Sequence, residues 1–292
     1  MINSMKKTVL ALMVVLLPGV ASAQLVSFQP GTGRTEAKNA KKEKDATRSW
    51  FDTSGLKATV RADIVSRYIW RGQDLCGLSF QPSATLSWHG LSFNACGSTG
   101  VLKDDYQDID LTLAYKLGPI NIGVTDYWAT GLDTENRYLY YDPHKGGHMY
   151  EGNLGYTCKY FSLQGYCMFW GRDFKIDPNG RAYTEDRAYS TYIELSVPFR
   201  LGNLDWQFTV GGTPMESGGE WETQSRETLL GLRDVDVRVY EYAEGPACCS
   251  ATLRCTKNFD LGSVNMPLFA EINANPYMSK ATFLLGLSIE PW

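Results

Sequence analysis

Hydrophobic and polar positions alternate through much of this chain. In "LKATVRADIVSRYIWRG", Leu56, Ala58, Val60, Ala62, Ile64, Tyr68 and Trp70 share one parity, and Lys57, Thr59, Arg61, Asp63, Arg67 and Arg71 share the other. A period of two belongs to an extended strand whose side chains point alternately to two environments. The pattern recurs at Leu78–Trp88, Leu91–Ala95, Asp108–Lys116 and Ile120–Trp128. It returns near 153–161, 162–171, 188–199, 203–213, 248–257, 267–275 and 281–290. About twelve strands are predicted and no amphipathic helix. "LRDVDVRVYEY" (232–242) also alternates, so ten or fourteen spanning strands fit as well. We place that segment in an outer loop, as an extension above the membrane.

The connections separate a soluble sandwich from a membrane barrel. Turns at His89-Gly90, Leu117–Pro119, Phe161-Ser162 and Arg200–Asn203 are tight, and polar loops at 97–106, 129–152, 172–187 and 214–247 fall between them. Transmembrane barrels have this asymmetry, with short periplasmic turns and long outer loops. Aromatic residues on the apolar parity gather at strand ends. Trp70, Phe80, Trp128 and Phe169 lie toward the long loops, and Trp88, Tyr115, Tyr160, Phe199 and Trp206 toward the short turns. Two aromatic belts are expected where rings sit at both interfaces of a bilayer. The reading is an all-β, antiparallel, up-and-down transmembrane β-barrel with its charges facing the lumen. An open strand edge has no partner in lipid, so the strands must close into a ring.

The N-terminus changes the picture by adding export. Lys6 and Lys7, an apolar run from Thr8 to Val20, and Ala21-Ser22-Ala23 have the three parts of a secretory signal. We expect residues 1–23 as signal peptide, 24–50 as a disordered periplasmic leader, and 51–292 as the barrel of a bacterial outer membrane. Eight of the 28 basic residues but three of the 32 acidic ones precede Trp50, leaving about −9 for the rest. That balance argues against nucleic acid as a partner. Seven cysteines include Cys76, Cys248 and Cys249 in predicted loops, the best disulfide candidates, while Cys158 and Cys167 fall on the apolar parity. The apolar terminal strand "FLLGLSIEPW" suits recognition by outer-membrane assembly machinery, although Trp292 is out of phase with it. No oligomeric state can be assigned.

The motif "VSRYIWRGQ", with Tyr68, Trp70, Arg71 and Gly72, resembles the TorF-type porin family of bacterial outer-membrane proteins. "PLFAEINANPYMSKATFLLGLSI" is similar to that family's closing hairpin. The resemblance covers both ends of the barrel and the middle only in pattern. It implies an outer-membrane barrel with a transport role and carries over no catalytic residue and no ligand.

The densest inward charge is Lys57, Arg61, Asp63, Arg67 and Arg71. With Arg254 these residues form either a cationic track for anionic solutes or a plug paired with Asp108, Asp110, Glu194 and Glu271. The first reading is a porin passing small polar or charged solutes. The second is a closed barrel whose outer loops, rich in Tyr138, Tyr140, Tyr141, Tyr150, Tyr183 and Trp221, serve adhesion, glycan or partner binding, or envelope structure. No cofactor or metal is expected, because the His144/His148 spacing binds metal reliably only on a rigid helix and Gly146-Gly147 lies between them. Nor is an enzyme. A hydrolase embedded in such a wall needs a Ser–His pair on the lipid-facing parity near the outer rim, and this register places no histidine there.

Overall fold

The structure, a computed structural model, describes residues 55–102, 106–130, 137–177, 184–228 and 231–291. The expected signal segment and leader, Tyr183 and Trp292 lie outside the described residues. In chain order the strands are β1 (Lys57–Val65), β2 (Tyr68–Trp70), β3 (Gln73–Cys76), β4 (Ser79–Trp88), β5 (Leu91–Gly100) and β6 (Gln107–Leu117). There follow β7 (Ile120–Ala129), β8 (His148–Thr157), β9 (Ser162–Gly171), β10 (Thr191–Leu201), β11 (Leu204–Thr213) and β12 (Gly219–Thr228). The last are β13 (Gly231–Tyr240), β14 (Ala247–Lys257), β15 (Asp260–Leu261), β16 (Val264–Asn265), β17 (Leu268–Asn275) and β18 (Lys280–Pro291).

Twelve of these, β1, β4 to β11, β14, β17 and β18, form one antiparallel wall, and β1 pairs with β18 to close it. Ala62 stands opposite Ile289 and Val65 opposite Gly286 at the seam. The fold is a closed twelve-stranded β-barrel. The 232–242 segment is a strand, but β12 and β13 pair only with each other, so it adds nothing to the ring. At the opposite end β15 and β16 make a small hairpin that extends β18.

Burial is inverted relative to a soluble protein. Leu113 is 54% exposed, Ile122 57% and Phe283 57%, while Ser79, Ser98 and Ser288 are 0% exposed. Aliphatic residues thus cover the outside and hydroxyls and charges face the lumen, the arrangement a bilayer selects. Phe80, Phe169, Trp88, Tyr115 and Phe199 keep their outward belt positions.

The first predicted strand is shorter than its alternation. β1 ends at Val65, paired with Ser79 at the start of β4, and the chain then leaves the wall. Residues 68–76 fold back into the barrel as the hairpin β2–β3. Tyr68 and Trp70 therefore point into the lumen, which corrects their placement on the lipid face. Alternation is local and cannot register where a strand loses its neighbours. Trp128 keeps its outward parity but is covered edge-on by Tyr138, with ring centroids 5.5 Å apart. Among the described residues no disulfide is formed, so Cys76, Cys248 and Cys249 are not cross-linked as the sequence suggested.

Candidate functional site

The tip of β2–β3 is a two-residue turn, Arg71-Gly72, between the paired residues Trp70 and Gln73. Both have positive φ, 47° and 86°, the tight hairpin geometry that follows strand twist. Glycine is required at the second position. A Cβ on Gly72 would collide with the carbonyl oxygen of Cys249 in β14. The Trp-Arg-Gly motif is thus the turn that carries an arginine into the barrel.

Arg71 enters a closed aromatic cage. Its guanidinium carbon lies 4.6, 4.3 and 4.9 Å from the ring centroids of Trp70, Tyr166 and Tyr192. Two parallel bonds, of 2.6 and 2.7 Å, join it to the carboxylate of Glu151, and it also donates to the Tyr242 hydroxyl. Tyr127 donates to the same carboxylate at 2.8 Å. The side chains of Arg71 and Glu151 are 2% and 1% exposed. Ile69 packs on a second inward cluster of Val65, Phe269 and Leu284. Gln73 bonds the backbone carbonyl of Glu241, tying the hairpin to the segment after β13.

The remaining candidates fall at different levels. Arg61 bonds Asp63 at 2.8 Å and Glu290 at 3.4 Å in the lumen below the plug, where its side chain is 36% exposed. Arg254 bonds Glu271 at 2.6 Å and lies over the Phe269 ring. Arg67 is outside the lumen row, in the link after β1, exposed and paired with Asp74. Lys57 is exposed at the opposite end of β1. Tyr68 donates to Asp108 at 3.2 Å, and Asp110 lies next on the same face of β6. Glu194 is half-buried on the lumen face of β10, where it feels the charges of Arg71 and Glu271.

Sequence reasoning missed Glu151 and Tyr242. The sequence reading places Glu151 in a loop, but β8 already begins at His148 and pairs with β7 without a break, so the alternation of its later residues carries back and turns Glu151 to the lumen. The same register moves His148. It stands opposite Trp128 on the outward face near the outer rim, which corrects the expectation that no histidine falls there. Its Nδ1 is 2.8 Å from Asp126, and its Nε2 meets the Tyr138 carbonyl. Tyr141 stacks on the ring at 4.1 Å. His144 stacks instead on Phe174 at 4.4 Å. Among the described residues no three His, Cys, Asp or Glu side chains gather as a metal centre.

Glu241 sits outside the spanning strands. Burial pushes its carboxyl up to about 7; Asp173, Glu151 and Glu220 add repulsion and Arg71 opposes them. The folded chain therefore keeps a proton that the unfolded chain loses near the ordinary glutamate value of about 4.3. This contribution is complete below that value and is lost as pH rises through about 7. We expect thermal midpoints to fall by a few degrees between mildly acidic and mildly alkaline buffer. Glu241→Gln should flatten that profile, and an unchanged slope in the variant would exclude Glu241 as its source.

No protein-family model matches the sequence, and neither does any curated protein. The TorF-type resemblance therefore rests on the Trp-Arg-Gly motif and the closing hairpin alone. Among solved structures, the chain is similar to a NanC porin at 10% identity and TM-score 0.41, over 81% of this chain and 100% of that one. An outer membrane channel from Pseudomonas putida F1 gives 13% identity and TM-score 0.37, over 85% and 99%. OprB from Pseudomonas putida gives 8% and 0.36, over 82% and 94%. The barrel assignment itself stands on the closed ring of strands.

Proposed function

We propose that this protein is an outer-membrane channel for small polar solutes whose passage is closed on the outer side by the β2–β3 hairpin. One observation carries this reading: the lumen face is lined largely by polar and charged side chains, and its obstruction is a separate hairpin, not the wall. Below the plug the lumen stays wet, with Arg61 and Glu290 about a third exposed; at the plug Arg71 and Glu151 are dry. Lipid contact, handling of the terminal strand by the assembly machinery, and an outer-membrane location follow from the same reading.

The dry plug also supports a second reading, a permanently closed barrel that presents its outer loops. Planar-bilayer recording separates the two. Wild type is expected to give small or intermittent currents. A variant with residues 67–77 replaced by a Gly/Ser linker is expected to conduct steadily. Silence from a correctly folded linker variant would establish the closed barrel instead.

A further inference from the structure

Beside the plug, one lumen wall gathers buried oxygens, of which Asp108 alone is engaged by hydroxyls, those of Tyr68 and Tyr106. Ser98 on β5 is paired directly with Asp108 on β6, and Cys96 with Asp110. The register that sets Phe80 against Thr99 and Ser83 against Cys96 places Gln81 of β4 opposite Ser98. Gln81, Ser98 and Asp108 thus form a row across three adjacent strands, and Asp110 lies roughly 7 Å from Asp108 along β6. All four are buried, at 6%, 0%, 4% and 2% exposure. Both Asp110 carboxylate oxygens, Asp108 Oδ1, Ser98 Oγ and Gln81 Oε1 have no hydrogen-bond partner among the described residues.

The lumen arginines do not supply the missing charge. Arg71 is held by both oxygens of Glu151, Arg61 by Asp63 and Glu290, and Arg254 by Glu271. Among the described residues Asp126 and Glu151 act on Asp110 as like charges, and the base that acts on it is that same Arg71. A buried carboxylate without a partner is costly. A proton joins two oxygens at most, whereas a cation draws on several at once. Two carboxylates with neutral oxygens, which among the described residues do not gather with a further His, Cys, Asp or Glu into a metal centre, suit weak and exchangeable binding, as a conduction path requires.

We infer that Asp108, Asp110, Ser98 and Gln81 form a cation subsite for a small monovalent cation, a potassium or sodium ion or a primary ammonium group. Resting on the channel reading, the subsite makes the passage prefer cations. A ligand that binds only the folded state raises the melting temperature. The test compares melting of the refolded full chain in potassium chloride, methylammonium chloride and N-methylglucamine chloride at equal ionic strength; the last cation is too bulky for the site. Wild type should melt a few degrees higher in the first two salts than in the third. That gap should vanish in Asp108→Asn/Asp110→Asn, and in Asp110→Asn should the double variant not fold. A rise with potassium alone assigns the site to inorganic ions. Equal melting of wild type in all three salts, or a gap kept in the variant, overturns the inference.

In bilayers under a potassium chloride gradient the reversal potential should show several-fold cation preference, and anion preference would also overturn it. Silence from the folded linker variant as well refutes the channel reading instead and leaves the melting comparison to decide the subsite.

Discussion

Glu151→Ala is expected to open the barrel. It strands the Arg71 guanidinium, 2% exposed, among four aromatic side chains with only the Tyr242 hydroxyl as acceptor. Removing one partner of a buried pair costs about 3–5 kcal/mol, because an uncompensated charge remains in a dry site. The hairpin can escape that cost by leaving the lumen, while the wall has its own hydrogen-bond ring and does not depend on it. Steady conductance and a lower melting temperature should therefore appear together. Replacing both partners by apolar residues of similar volume is often neutral. Arg71→Met/Glu151→Met should accordingly recover most of the wild-type closure, and the two substitutions should be strongly non-additive. A double variant as open as the single one would mean that the ion pair is not what the plug depends on.

Gly72→Ala should have a comparable effect by a steric route. The residue has φ of 86°, a conformation that costs a residue bearing a Cβ roughly 1–2 kcal/mol. The larger difficulty is that the added carbon meets the backbone oxygen of Cys249, the extra residue of a β14 bulge held between the Cys248 and Ser250 pairs to β11. Neither backbone can yield by rotating a side chain, so the hairpin must rise. Cys249 is 1% exposed and packs in the cluster that Trp70 covers. Its labelling by a water-soluble thiol reagent, followed peptide by peptide in a mass spectrometer, should speed up at least several-fold in Gly72→Ala. Gly77→Ala is the internal control, since a Cβ there meets nothing within 4 Å. Equal protection of Cys249 in both variants would contradict the inserted hairpin.

Much of the wall was legible because strand alternation is written in neighbouring residues. The parity of Val60, Ala62 and Ile64 against Arg61 and Asp63 gives the two faces, and tight turns alternating with long loops give the up-and-down order. The site was less legible, since its contacts join residues far apart in the chain. Arg71 meets Glu151 and Tyr242 across 80 and 171 positions. Glu151 lies in a stretch of loop-like composition through which β8 already runs, and Tyr68 and Trp70 carry the lipid-facing phase although their hairpin turns inward. His148 moved to the outer face for the same reason: β8 starts five residues before its alternation becomes regular.

By itself, the sequence determined a closed antiparallel barrel of about twelve strands, greasy outside and polar within, because a period-two pattern and a lipid environment leave a chain without helices no other way to satisfy its backbone. Only the tertiary structure decided what fills the lumen. Where β1 loses its neighbours, whether the freed segment points out or in, and which carboxylate receives Arg71 are set by packing between distant strands, and no local pattern encodes that.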